Sequence, residues 1–167
     1  MAKRFEVSQA EFDKICSQAC EEYIAGECCG LLTWEPNNPT VNVHKCSNTQ
    51  NIMHSKEPER FPRTNLNAYL IDPSEQLAII SEAEKNGGRL AGFYHSHVDC
   101  DAYFSQEDKD QACAFFGDEP TYPDAVYLVV SVYGSRSGNS EPMINGHKCF
   151  AWDEDTLDFV EVAVELV

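Results

Sequence analysis

The chain has 167 residues, 43% hydrophobic and 11% aromatic, enough for one domain with a sizeable core. Its 28 acidic and 12 basic residues give a formal charge of −16, which argues against nucleic acid or an anionic membrane as the main partner, since both reward positive charge. The start, MAKRFEVSQAEF, has no apolar signal core and no run reaches membrane-spanning length, so a cytoplasmic chain is expected, with its eight cysteines mostly reduced.

Ser8 to Glu11 reads as a capping box, and Phe12, Ile15, Ala19 and Tyr23 make an apolar stripe of helical period that Gly26 closes. Cys16 and Cys20 stand at i, i+4 on that helix, but no second half of a metal site accompanies them, and the cysteines read as buried thiols. Cys28 to Trp34 reads as a strand with Glu27 at the junction before it; taken alone, Glu27 is a solvated side chain beside a turn. After a turn at Pro36 to Pro39, Thr40 to Cys46 has strand character. The polar segment Ser47 to Asn67 is too long for an ordinary connection and reads as an insertion flanking a site. His44 and His54 read as surface or hydrogen-bonded histidines. Asp72, Pro73 and Glu75 announce a second helix, weakly amphipathic through Leu77, Ile80 and Glu84 and ended by Asn86, Gly87 and Gly88.

Arg89 to His97 follows as a central strand, whose period of two puts His95 and His97 on one face and Ser96 on the other. Ser105 is a natural N-cap for a helix running to about Phe116, with Asp108, Ala112 and Phe115 on its inward face. Two neutral imidazoles and a carboxylate are a usual ligand set for catalytic zinc, leaving a fourth position for water. Ala125 to Tyr133 is a buried strand and Gly134 to Gly146 a polar loop. His147 to Trp152 and Leu157 to Leu166 read as antiparallel strands around a WDEDT turn. The order of elements predicts a mixed α/β single domain: helix, two strands, helix, strand, helix, three strands.

The pattern H-x-H-x7-S-x2-D with an upstream glutamate resembles the JAMM (MPN+) metallopeptidase family, on Glu27 in GECCGLL and on His95, Ser96, His97, Ser105 and Asp108. The resemblance covers most of the chain and departs at Val98, where the family usually has proline. It implies a curved central sheet flanked by helices, similar to the cytidine-deaminase-like architecture. It also implies one zinc per chain on His95, His97 and Asp108, with Glu27 as general base and Ser105 as donor to the oxyanion. Ser96, pointing away from the metal, would position the loop or a substrate carbonyl.

Family members cut peptide or isopeptide bonds after the terminal glycine of ubiquitin or ubiquitin-like proteins. The segment matching 47–67 helps hold that modifier. Stand-alone prokaryotic members process sulfur-carrier proteins or detach modifiers, often beside an E1-like activating enzyme. The resemblance thus favours an (iso)peptidase that removes a ubiquitin-like protein from a target or precursor. The alternatives are a peptidase of sulfur-carrier precursors or adducts, and a non-catalytic MPN-type scaffold. Zinc deaminases need H-x-E with P-C-x-x-C, and helical zinc proteases need H-E-x-x-H; all are absent. A Cys-His hydrolase using Cys100 would leave two idle histidines beside an unexplained Asp108. Cys100 raises one further expectation, an inhibitory thiolate at zinc's open position.

Overall fold

In the computed structural model, which describes residues 4–167, strand alternation sorts the apolar side chains onto two faces of one curled seven-stranded sheet. The chain runs β1 (Arg4–Val7), α1 (Gln9–Glu21), β2 (Cys29–Trp34), β3 (Val41–Cys46), α2 (Gln50–Lys56), α3 (Pro73–Lys85), β4 (Arg89–Val98), α4 (Gln106–Ala112), β5 (Val126–Tyr133), β6 (Met143–Asp153) and β7 (Asp158–Leu166). The strand order β1-β7-β6-β5-β4-β2-β3 places β4 inside the sheet, antiparallel to β2 and parallel to β5. The architecture is mixed α/β, as the order of elements predicts.

On one face, Tyr94, Leu128, Val130 and Val132 pack with Phe12, Ile15 and Ala19 of α1. On the other, Phe93, Tyr127 and Val129 pack with Ile80 of α3, Ala112 of α4 and Tyr69. Ile15, Leu32 and Leu128 are fully buried, and each such side chain stabilises by about 1.5–3 kcal/mol. His95 and His97 share the parity of Phe93 and therefore lie on the α3/α4 face. Ser96 follows Tyr94 to the α1 face.

The helix starts follow the sequence with one difference. Asp72 caps α3 through Oδ1, which accepts from the N–H groups of Ser74 (2.8 Å) and Glu75 (3.3 Å), with Pro73 in the first turn. Ser8 caps α1 by accepting from the Glu11 N–H at 3.2 Å, but the Glu11 carboxylate does not return to Ser8. It accepts instead from Lys14 and, at 2.7 Å, from the N–H of Val43 on edge strand β3. The expected capping box is half formed, and the other half seals a sheet edge.

Other elements differ in extent. β1 was not expected; it pairs in parallel with β7 and buries Phe5 and Val7. The segment 47–67 contains α2, so it is ordered rather than a plain loop. α4 stops at Ala112, whose carbonyl accepts from the Thr121 N–H in place of the helical partner Phe116, and Gly117 at φ +90 then turns the chain away. The inward stripe therefore holds for Asp108 and Ala112 but not for Phe115, which is 78% exposed. β6 begins at Met143, not His147: the register skips Asn145 at a bulge, and Gly146, at φ +155, supplies a backbone conformation side chains disfavour. No helix among the described residues is long and apolar enough to cross a membrane.

Candidate metal centre

β4 presents His95 and His97 to α4, and the cap of α4 presents Asp108 to them. Ser105 Oγ accepts from the Asp108 N–H at 3.1 Å while Asp108 Oδ2 accepts from the Ser105 N–H at 2.9 Å, a complete capping box. This fixes the carboxylate before any ligand is considered. All three side chains are buried, and their ligand atoms lie within 4.8 Å of one another. His95 Nε2 is 3.2 Å from Asp108 Oδ1, and His97 Nε2 is 3.3 Å from Oδ2.

These contacts fit a cation. His97 Nδ1 lies 3.0 Å from the carbonyl oxygen of Asp101, an atom that only accepts, so in the neutral ring the proton sits on Nδ1 and the Nε2 lone pair faces a carboxylate. His95 Nε2 is buried without a hydrogen-bond partner. Two lone pairs and a carboxylate converging in a dry site repel unless a positive charge lies between them. Two ligands of one tetrahedral zinc stand about 3.3 Å apart, close to both separations here. Burial alone would raise the Asp108 carboxyl, but the adjoining His95, then His97 and the Ser105 N–H, outweigh it and hold the group well below the usual carboxylate range. Tyr69 stacks on His95 at 4.5 Å and Tyr103 packs edge-on against His97 at 4.7 Å, fixing both rings.

Glu27 is 7% exposed, and its Oε2 is buried with no partner. Burial first, then the Asp108 carboxylate, push its carboxyl well above the ordinary range, with the Arg63 guanidinium opposing. Its backbone is held from both sides: the N–H donates to Asn65 O at 2.7 Å, and the carbonyl accepts from Asn48 Nδ2 at 3.0 Å. Gly26 permits this approach, because a Cβ there would sit 2.2 Å from Asn65 O on a backbone with φ +131.

Ser96, expected to position the loop or a substrate carbonyl, is fully buried, and its Oγ accepts from the Cys28 N–H at 2.7 Å. That contact anchors the residue after Glu27 and leaves the hydroxyl away from any opening. His44 bonds Thr33 Oγ1 (2.7 Å) and His54 bonds the Phe61 carbonyl (2.6 Å), so neither joins the metal group. Cys100 is outside that group as well. Burial, then the carboxylates of Glu27, Asp101 and Asp99, push its thiol up in the metal-free chain.

Several contributors carry no local sequence signal. Asn48 makes four bonds of 3.0 Å: its amide donates to Glu27 O and Ala68 O, and its oxygen accepts from the N–H groups of Gln50 and Leu70. Asn51 and Asn65 exchange reciprocal side-chain to backbone bonds of 2.8 Å. Arg63 spans from this segment to Glu107 of α4 at 3.3 Å. An asparagine-rich polar stretch beside a candidate site was the available clue, since such side chains substitute for backbone partners in irregular chain.

Comparison with known proteins agrees with this geometry. Residues 8–145 match the family model described as prokaryotic homologues of the JAB domain. The chain is 29% identical over 169 residues to a desampylase of Haloferax volcanii, covering 98% of this chain and 99% of that protein. Two solution structures share the fold. A Desulfitobacterium hafniense protein has a TM-score of 0.64 at 22% identity, over 99% of this chain and 93% of that one. A Salinibacter ruber protein has a TM-score of 0.55 at 19% identity, over 98% and 91%. With a matched region that takes in the Glu27 turn, both histidines and Asp108, the chain belongs to the family of prokaryotic JAB-domain homologues.

Proposed function

We propose that this chain is a zinc-dependent (iso)peptidase that hydrolyses the bond after the C-terminal glycine of a ubiquitin-like protein. The observation that carries the reading is the buried His95, His97 and Asp108 group with Glu27, its Oε2 buried and unpartnered, near enough to feel the Asp108 charge. Likeness to a desampylase supports a small protein modifier as substrate.

His95, His97 and Asp108 would hold the zinc, which would supply Lewis acidity toward water and a carbonyl. Glu27 moves the protons: it takes one from the attacking water and delivers it to the leaving amine. In the metal-free chain burial and Asp108 raise its carboxyl and the Arg63 guanidinium opposes that rise; a cation on the histidines and Asp108 favours the ionised form that accepts a proton. Ser105 uses an oxygen lone pair to cap α4, which leaves its hydroxyl proton for the carbonyl oxygen as negative charge develops there.

An apolar groove of about 410 Å³ between α3 and α4 is lined by Tyr69, Leu77, Phe93, Ala112, Tyr122 and Tyr127. Tyr69 is a shared wall, with its ring against His95. The folded body of the modifier rests here while its extended tail enters the metal cleft. Leu77, 65% exposed on α3, is the accessible anchor. Leu77→Glu is expected to raise KM about tenfold with kcat unchanged, the loss of one buried leucine contact. An unaltered KM would remove the groove from the binding site.

The test of the whole reading is incubation with ubiquitin-like proteins carrying C-terminal extensions or lysine-linked cargo, followed by intact-mass analysis. Cleavage after the terminal glycine is expected. Cutting of sulfur-carrier precursors alone would favour the maturation peptidase, and a protein that neither binds zinc nor cleaves would be a scaffold.

A further inference from the structure

β4 exits through Asp99, whose φ of +56 lies in the left-handed region, which aspartate tolerates better than most side chains and in which its surroundings can hold it. They do so here. The Asp99 carboxylate accepts from the Tyr23 hydroxyl, 2.8 Å from each oxygen, and from the Gly134 N–H at 3.1 Å, and it pairs with Arg136 at 3.6 Å. The next two residues are pinned as well. The Ser131 hydroxyl donates to the Cys100 carbonyl, and Asp101 Oδ1 accepts from the Tyr133 hydroxyl (3.1 Å) and Asn145 Nδ2 (3.5 Å). What this loop delivers is the Asp101 carbonyl against His97 Nδ1.

Arg136 reaches the other half of the centre too. Its guanidinium lies over the Tyr23 ring at 4.6 Å and donates to the carbonyls of Tyr23 (3.0 Å) and Ile24 (3.1 Å), in the turn that leads from α1 to Glu27. We propose that Asp99 and Arg136 are positioning residues, holding the Asp101 carbonyl on His97 and tying that loop to the turn that carries Glu27. This rests on the metal-centre reading above. The pair is over a third exposed on both side chains (36% and 41%), so solvent leaves it little direct weight in stability and its effect falls on geometry.

The test uses the full chain with Asp99→Gly, Arg136→Gln, Arg136→Lys and Tyr23→Phe. Glycine adopts the same φ freely, so Asp99→Gly isolates the carboxylate. Zinc affinity is measured by competition with a chromophoric chelator, beside the visible spectrum of the cobalt(II)-loaded protein and thermal unfolding. Asp99→Gly and Arg136→Gln are expected to weaken zinc binding about tenfold and to alter the cobalt bands, with Arg136→Lys partly restoring both. Tyr23→Phe, which keeps the ring, carries the same reading if another variant fails to fold. Affinities within twofold of the unaltered protein and superimposable cobalt spectra overturn the proposal, whatever the melting temperatures do. An unaltered protein that binds no zinc overturns the metal-centre reading along with it; zinc bound equally by all variants overturns this inference alone.

Discussion

Glu27→Gln is expected to lower kcat by about 10²–10⁴-fold while zinc stays bound and the fold persists. The substitution keeps the shape of the side chain and removes its capacity to accept a proton. It touches none of the bonds that hold the residue, since the N–H bond to Asn65 and the carbonyl bond from Asn48 are both backbone contacts. Its effect on stability has a definite sign. Glu27 has its carboxyl raised above the ordinary 4.5, so as pH climbs past that value the unfolded chain ionises while the folded metal-free chain keeps its proton. Stability is therefore lost as pH rises from 4.5 towards the folded value, and Gln, which does not titrate, escapes that loss. Metal-free Glu27→Gln should thus be the more stable protein at neutral pH and equal to the unaltered one in acid, read from denaturant midpoints across pH. A variant that is slower and less stable at every pH would mark Glu27 as structural. Unchanged turnover would end its role as base.

Removing His97 tests the centre itself. His97→Ala should reduce bound zinc from about one per chain to none. Zinc at a thousandfold over its dissociation constant stabilises a folded chain by about 4 kcal/mol, which for a domain of this size is about 10 °C of melting temperature. The unaltered protein should show that rise on adding zinc and lose it on chelation, and His97→Ala should show neither. His97 is a cleaner probe than Asp108, whose carboxylate also closes the α4 capping box and would take helix stability with it. A zinc response that survived in His97→Ala would place the metal elsewhere.

What was legible in the chain was whatever rests on short-range pattern. The parity of His95, Ser96 and His97 follows from strand period alone, and Ser105 and Asp108 are a cap and its partner three residues on. The α3 start is a local signal of the same kind. The rest depends on distant chain. β1 has four residues and exists because β7, at the far end of the sequence, offers an edge to pair with. α2 has seven residues, too few to nucleate alone, and is stapled by Asn48, Asn65 and the Gln50 amide, which donates to the Arg63 carbonyl at 3.0 Å. Arg136 sits in a loop with no periodicity, and its contacts with Tyr23 and Asp99 appear only once three separate segments meet. Phe115 kept the helical spacing of Asp108 and Ala112, but its helix had ended.

The bond from the Val43 N–H to Glu11 bears on how molecules of this protein behave towards one another. The sequence puts charge balance at about pH 4.5, where mutual repulsion between copies is weakest and an open strand edge is the ready template for pairing. Burial would raise the Glu11 carboxyl, but Lys14 and the Val43 N–H outweigh it and set it below its ordinary 4.5. Lys14 and the Val43 N–H thus favour the ionised carboxylate that occupies this place on β3. An edge N–H already bonded within its own chain is one fewer place for a second copy to add a strand.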